Sequence, residues 1–199
     1  MNGDPVVAED RRRILLWTRD RDPDAFTVLV RRHEGALRRV AAAVLGSAGR
    51  RDPELLADAL QEGYGRMMDA LRSYRGEADP FVFLAAVLRR ACLDTLRRET
   101  RARGRAERAV AFGVDGGADG AGGDPAGDAE RAILAERVLA VLDRLGEPDR
   151  SLVYLRDAEG ASVADLSAAF GMREGTVKSR LARARTRLRG MLAEEGVEP

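Results

Sequence analysis

Between Arg173 and Arg189 the sequence sets seven basic side chains against one acidic one, and their order is helical. Val177, Leu181, Ala184 and Leu188 recur at three- and four-residue steps, so one face of the segment must pack inward. Lys178, Ser179, Ala182, Arg183 and Thr186 then project from the opposite face. Long cations beside short side chains suit entry into a DNA groove: Arg and Lys reach phosphates or guanine edges, while Ser and Ala permit close approach. Arg180, Arg185 and Arg187 lie towards the flanks, where phosphates are the expected contacts. Just upstream, Ser162-Val163-Ala164-Asp165 is a capping box and Gly171 a helix breaker. A capped short helix, a glycine turn and an arginine-rich helix have the spacing of a helix-turn-helix. An ordinary helical hairpin with a solvated face would carry the charge without this cap and turn. Arg173 stands where a Ser or Thr N-cap is expected, so Glu174 must complement the helix dipole there.

A second basic block runs from Arg89 to Arg108. Arg89, Arg90, Arg97 and Arg98 have Asp94 as the only acid among them, a density that suits phosphate contact. Other chemistries lack their residues. Cys92 is the only cysteine and His33 the only histidine, which excludes an intramolecular disulfide, multi-thiolate zinc sites and a His-based triad within the chain. No metal, cofactor or catalytic residue is expected, and His33, Cys92 and Trp17 read as structural. No apolar run approaches the roughly 18 residues of a membrane span, and Met1 to Arg13 contains no signal-peptide core. A cytoplasmic protein without membrane contact is the expectation.

The elements that must position these cations are helices. The chain has 199 residues, 45% apolar, 34% charged and 5% aromatic, enough for two small domains of roughly 100 residues each. Ala, Leu and Arg dominate over β-branched residues, which favours helix over sheet. The net charge of +1 is unevenly spread: residues 1–112 sum to +5, 113–143 to −5 and 144–199 to +1. Seven of the 21 glycines fall between Gly113 and Gly127, with no hydrophobic periodicity and no basic residue. That segment reads as a flexible acidic linker. The fold expected is therefore all-α, with two small helical domains, 1–108 and 129–199, joined by a Gly/Asp-rich linker over 109–128.

Asp22-Pro23, Asp52-Pro53 and Asp79-Pro80 each pair a good N-cap with a proline suited to the first helical position. They predict helices over about 23–46, 53–73 and 80–103, after a shorter one near 6–19. Leu56, Ala59, Leu60, Gly63, Met67 and Leu71 form the inward stripe of the third helix, opposite Asp58, Gln61, Glu62 and Asp69. In the second half the patterning predicts helices over 130–145, from Pro148 to about Glu159, from Val163 to Phe170, and over 174–193.

Leu145-Gly146-Glu147-Pro148-Asp149-Arg150, leading to Gly175-Thr176-Val177-Lys178-Ser179-Arg180-Leu181-Ala182-Arg183-Ala184-Arg185, resembles the promoter-binding C-terminal domain of bacterial RNA polymerase sigma factors of the extracytoplasmic-function (ECF) group. Three segments of the first half are similar to the same group: Asp22 to Leu29, Ala57 to Glu62, and Phe83-Leu84 followed by Asp94 and Arg97. The resemblance spans nearly the whole chain in the family's order. It implies that Asp58, Gln61 and Glu62 dock on the clamp helices of the largest polymerase subunit. It also implies that the loop Arg75–Pro80, with Tyr74, Phe81 and Phe83 as stacking candidates, borders a pocket for an unstacked −10 base. Tyr74, Arg75, Phe83, Arg89, Arg90, Arg97 and Arg98 then form a −10 set on single-stranded promoter DNA. Lys178, Ser179, Arg180, Ala182, Arg183, Arg185 and Arg187 form a −35 set on duplex. An anti-sigma factor is a further partner the resemblance allows. Phe83 stands where the group's melting helix reads Trp, and Arg90 where it reads Asn. Read from the residues alone, a free-standing helix-turn-helix regulator with an N-terminal sensing or dimerisation domain remains the alternative.

Overall fold

Aspartates open the helices. In the computed structural model, which describes residues 4–109 and 137–195, helix α1 (Pro5–Asp20) is capped by Asp4, whose carboxylate accepts from Val6 N. Helix α2 (Pro23–Leu45) is capped by Asp22, which accepts from Asp24 N and Ala25 N. Helix α4 (Pro53–Ala70) is capped by Asp52, which accepts from Leu55 N at 3.0 Å. Helix α5 (Pro80–Ala109) begins where Asp79 accepts from Phe81 N at 2.9 Å and Val82 N at 3.3 Å. Each carboxylate satisfies N–H groups that the helix itself cannot pair, and each proline occupies a position that needs no donor. The pair at residues 4–5 uses the device expected at the other three. The short helix α3 (Ser47–Arg51), between α2 and α4, was not expected.

The second half contains α6 (137–143), α7 (Asp149–Val153) continued by a π-helical turn (Tyr154–Ala158), α8 (Val163–Phe170) and α9 (Glu174–Glu194). The described residues contain no strand. Most of the acidic segment expected to link two domains, and the predicted helical start at 130–136, lie outside the described residues.

Helices α4 and α5 form the central crossing of the first half, against α2. A Cβ at Gly63 would collide with the side chain of Leu88, so glycine permits the approach of α4 to α5. Leu88 is fully buried there. Leu88→Ala should therefore cost about 2–5 kcal/mol, because so tight a crossing cannot collapse into the space vacated. In urea titration the midpoint should fall while the slope stays unchanged.

Helix α1 is held by a buried carboxylate. Asp10, 2% exposed, pairs with Arg32 Nη1 at 2.6 Å and lies 2.6 Å from His33 Nε2. The His33 ring lies against Phe81, with centroids 5.3 Å apart, and Trp17 packs on Phe26 at 5.4 Å. These are structural uses of the lone histidine and the lone tryptophan. The Cys92 thiol is buried and pushed up to about 12 by desolvation, so it is unreactive.

The core does not stop at the first half. Leu145, Leu152, Leu155 and Leu166 of the second half join Leu37, Val44, Leu84 and Leu88 of the first in one buried cluster. Helix α8 packs on α5, and α7 packs on α2.

Candidate nucleic-acid and polymerase interfaces

Helix α9 carries out the division of faces read from its periodicity. Val177, Leu181 and Ala184 are buried and Leu188 is half-buried, while Lys178, Ser179, Ala182, Arg183, Thr186 and Arg187 are exposed. Helix α8 is capped by Ser162, whose Oγ accepts from Asp165 N at 3.0 Å, and Gly171 closes it with a left-handed φ of 64°. That conformation suits glycine and turns the chain into α9. Arg173 occupies the N-cap of α9 with extended backbone and makes no side-chain cap bond, so Glu174 is the compensating charge in the first turn.

The flanking arginines are used differently from the expectation. Arg180 Nη1 donates to Asp149 Oδ1 at 2.7 Å, and the Arg185 guanidinium makes a bidentate pair with Asp157. Both tie α9 to α7 and its π-helical turn, so in this structure these two cations brace α9 where phosphate contact was expected. Hydrogen bonding to Asp157 also pushes the Arg185 guanidinium above its ordinary value. Arg183 and Arg187 make no ion pair among the described residues. Lys178 has only a loose contact with Glu174, at 3.6 Å.

Along α5 the basic run divides between two faces. Arg90 is exposed, and Arg97 is exposed with Asp94 3.3 Å away. Arg98 is exposed, donates to Thr95 Oγ1 at 3.1 Å and lies 3.8 Å from Glu62. Arg89, one position before Arg90 and so about 100° around the helix, points the other way. Its Nε donates to Glu147 Oε2 at 2.7 Å and to Ser151 Oγ at 3.2 Å, and its guanidinium lies 5.2 Å from the Phe170 ring centroid. Arg89 was expected on phosphates. In this arrangement it binds the second half of the chain and is only 15% exposed.

The loop between α4 and α5 is built in advance. Tyr74 Oη donates to Ala78 O at 2.6 Å, Arg11 Nη2 donates to Gly76 O at 3.2 Å, and Gly76 supplies a φ of 79°. The Tyr74 ring meets Phe83 edge-on at 5.0 Å, while Arg75 is exposed at the rim. A cavity of about 150 Å³ opens among Ser73, Tyr74, Arg75, Glu77 and Phe83. Burial pushes the Tyr74 hydroxyl above its usual range, which keeps it protonated as a donor. Arg11 was not anticipated; a contact across 65 residues leaves no mark on local periodicity.

Asp58 and Gln61 are exposed on α4 and Glu62 is half-exposed, bordering a groove of about 890 Å³ between α4 and α5. Glu62 accepts from Arg66 Nε at 2.8 Å, and Arg66 Nη1 reaches Asp94 at 2.6 Å. Those hydrogen bonds hold the Asp94 carboxyl below its usual range and raise the Arg66 guanidinium. Arg66 is a residue that the sequence reading missed, although its i,i+4 spacing from Glu62 was a readable signal. This face of α4 is thus an acid–base ladder, with Asp58 as its unbraced acid. No group of three or more His, Cys, Asp or Glu side chains that could hold a metal occurs among the described residues. None of the described helices is long and apolar enough to cross a membrane.

Comparisons with known proteins match this layout. Residues 29–102 match the family described as sigma-70 region 2, and residues 135–188 match sigma-70 region 4. The ECF RNA polymerase sigma factor SigM of Mycobacterium tuberculosis is 36% identical over 171 residues, 86% of this chain and 79% of that protein. The ECF RNA polymerase sigma factor EcfG of Rhodopseudomonas palustris is 40% identical over a shorter stretch, 32% of this chain and 35% of that protein. Two solved structures share the fold. CnrH, in complex with the cytosolic domain of CnrY, has a TM-score of 0.61 at 19% identity and covers 96% of this chain and 99% of its own. The sigma factor RpoE, in complex with the anti-sigma factor NepR from Bartonella quintana, has a TM-score of 0.56 at 24% identity and covers 84% of this chain and 96% of its own. With regions 2 and 4 in order and a sigma factor aligned along most of its length, the chain belongs to the ECF group of RNA polymerase sigma factors.

Proposed function

We propose that this sigma factor, which directs promoter recognition and DNA opening in transcription initiation, divides those tasks between two helical units, residues 1–108 and 129–199. The first binds core RNA polymerase through Asp58, Gln61 and Glu62 on the clamp helices of the largest subunit. The same unit engages the −10 region, with Tyr74 and Phe83 stacking on an extruded base while Arg75, Arg90, Arg97 and Arg98 meet phosphates. The second reads the −35 duplex, with Lys178, Ser179, Ala182 and Arg183 in the major groove and Arg187 on the backbone. The chain itself performs no covalent chemistry; the polymerase does. It acts in the cytoplasm, and an anti-sigma factor is a further proposed partner, as the NepR-bound relative carries one.

The observation that carries this reading is the preformed pocket between Tyr74 of the α4–α5 loop and Phe83 of α5, the helix that also carries an exposed row of arginines. Extruding a base costs a few kcal/mol, which stacking on aromatic rings and phosphate contacts must offset. Removing one stacking ring should cost about 1–3 kcal/mol per base. Phe83→Ala holoenzyme should thus open promoter DNA roughly 5- to 150-fold less well, while its affinity for core enzyme stays the same. Permanganate footprinting of the −10 region reads the first quantity and a core-binding titration the second. Wild-type opening by Phe83→Ala would remove the pocket from the mechanism.

A phosphate contact behaves differently from a base contact. Arg187→Ala should weaken binding to all promoter sequences alike and lower the slope of log K against log[salt] by about one. Binding titrations of holoenzyme at several salt concentrations check this, and an unchanged slope would take Arg187 off the backbone.

A further inference from the structure

The loop that borders the Tyr74–Phe83 pocket is hinged on a glycine. It leaves α4 through a 3₁₀ turn, Leu71–Ser73, and reaches α5 at Pro80. Gly76 has a φ of 79°, and a Cβ built there would meet nothing within 4 Å, so no packing fixes the backbone at this point. A glycine in open space has a wide choice of conformers, and keeping one of them costs conformational entropy. Tyr74 closes the loop on itself, since its Oη donates to Ala78 O at 2.6 Å. Gly76 O, between those two residues, is held from outside the loop, by Arg11 Nη2 of α1 at 3.2 Å.

Arg11 reaches that carbonyl because α1 is anchored on either side of it. Just before it, buried Asp10 meets Arg32 and His33 of α2, each at 2.6 Å. Beyond it, Trp17 Nε1 donates to Met68 O in the last turn of α4 at 3.1 Å, and the Trp17 ring rests on Phe26. Neighbouring helical residues point about 100° apart, so the inward anchor at Asp10 turns Arg11 towards the loop. Arg13 is taken up by Glu9 in an ordinary i,i+4 pair at 2.8 Å. Arg11 forms no ion pair among the described residues, so no carboxylate competes with Gly76 O for its guanidinium. It also faces the Tyr74 hydroxyl: burial pushes that group up, and Arg11 opposes the push.

We propose, on the reading of Tyr74 and Phe83 given above, that Arg11 is a positioning residue for −10 recognition, fixing the backbone at Gly76 so that the Tyr74 ring stands ready for the extruded base. Arg11 acts on the loop and not on the base: its hydrogen bond ends on a main-chain carbonyl, and it is not among the residues that line the cavity. With Arg11 in place the loop is ordered before DNA arrives. Without it the pocket must be ordered as the base enters, and that cost is subtracted from the stacking energy. The loss then falls on promoter opening and on discrimination of the extruded base. Core affinity is not involved, because the docking acids lie on α4.

Arg11→Ala holoenzyme tests this on a promoter mapped by run-off transcription, with each base in turn at the −10 position that Phe83→Ala ceases to discriminate. Arg11 is exposed on its helix, so the variant should fold. It should open the wild-type promoter about 3- to 12-fold less well, the loss expected for one solvent-exposed hydrogen bond. Discrimination at the extruded position should shrink by a similar factor, while core affinity and the slope of log K against log[salt] stay unchanged. Because Arg11 acts through the pocket, adding Arg11→Ala to Phe83→Ala should add little to the loss. Wild-type discrimination by Arg11→Ala, whatever its melting temperature, would overturn the proposal. A salt slope lower by about one would overturn it too, since that marks a phosphate contact, and so would losses that multiply in the double variant. Phe83→Ala alone tells the two failures apart. If it is impaired while Arg11→Ala is not, the brace is wrong and the pocket stands; if it opens promoters like wild type, the pocket reading is what failed.

Discussion

Asp58→Arg combined with Glu62→Arg should weaken association with core polymerase severely while leaving the helical fold in place. Asp58 is exposed, and the Glu62 contacts with Arg66 and Arg98 are surface pairs, worth about 0–1 kcal/mol each to stability. Arg66 keeps Asp94 as a partner at 2.6 Å when Glu62 is lost. The inward stripe of α4, from Leu55 to Met67, is untouched. At the proposed interface the cost is larger, because two acids assigned to basic partners become two like charges facing them. Such juxtapositions cost several kcal/mol, so core affinity should fall by about two to three orders of magnitude. Fluorescence titration against core enzyme, paired with circular dichroism of the free variant, separates docking from folding. Wild-type affinity would move the docking face off the α4–α5 groove.

Arg183→Ala should produce the next largest loss, confined to cognate promoters. Arg183 is exposed and makes no ion pair among the described residues, while Val177, Leu181 and Ala184 hold the helix from the other side. A bidentate contact to guanine is worth about 1–3 kcal/mol of discrimination, so use of the cognate −35 element should drop roughly 5- to 150-fold. Promoters with that base pair already changed should be almost unaffected, and thermal stability should hardly move. Transcription from a panel of −35 variants reads the pattern. Uniform loss over the panel would make Arg183 a phosphate contact and shift the recognition face around the helix.

The sequence was most legible where a structural rule is local. Asp-Pro pairs mark the starts of α2, α4 and α5 through i+2 and i+3 hydrogen bonds that need nothing from elsewhere. The three- and four-residue repeat placed both faces of α9, and Ser162 and Asp165 placed the start of α8. Legibility ended where a side chain chooses a partner far along the chain. Arg180 meets Asp149 across 31 residues, Arg185 meets Asp157 across 28, and Arg89 meets Glu147 across 58. In sequence these arginines are indistinguishable from Arg183 or Arg90, because exposure and pairing depend on which helices are neighbours in space. The five-residue helix α3 is too short to show any periodicity.

The central claim is that this chain gives core polymerase its promoter specificity, with the −10 and −35 determinants on α5 and α9. Run-off transcription on genomic fragments, with purified core enzyme and this protein as the sole specificity subunit, tests it most directly. Transcripts with discrete 5′ ends should form only when both components are present. Transplanting the −35 and −10 segments of one such promoter onto inert DNA should be enough to restore a start site. A protein that binds promoter fragments by itself, yet gives no discrete transcript with core enzyme, would contradict the account.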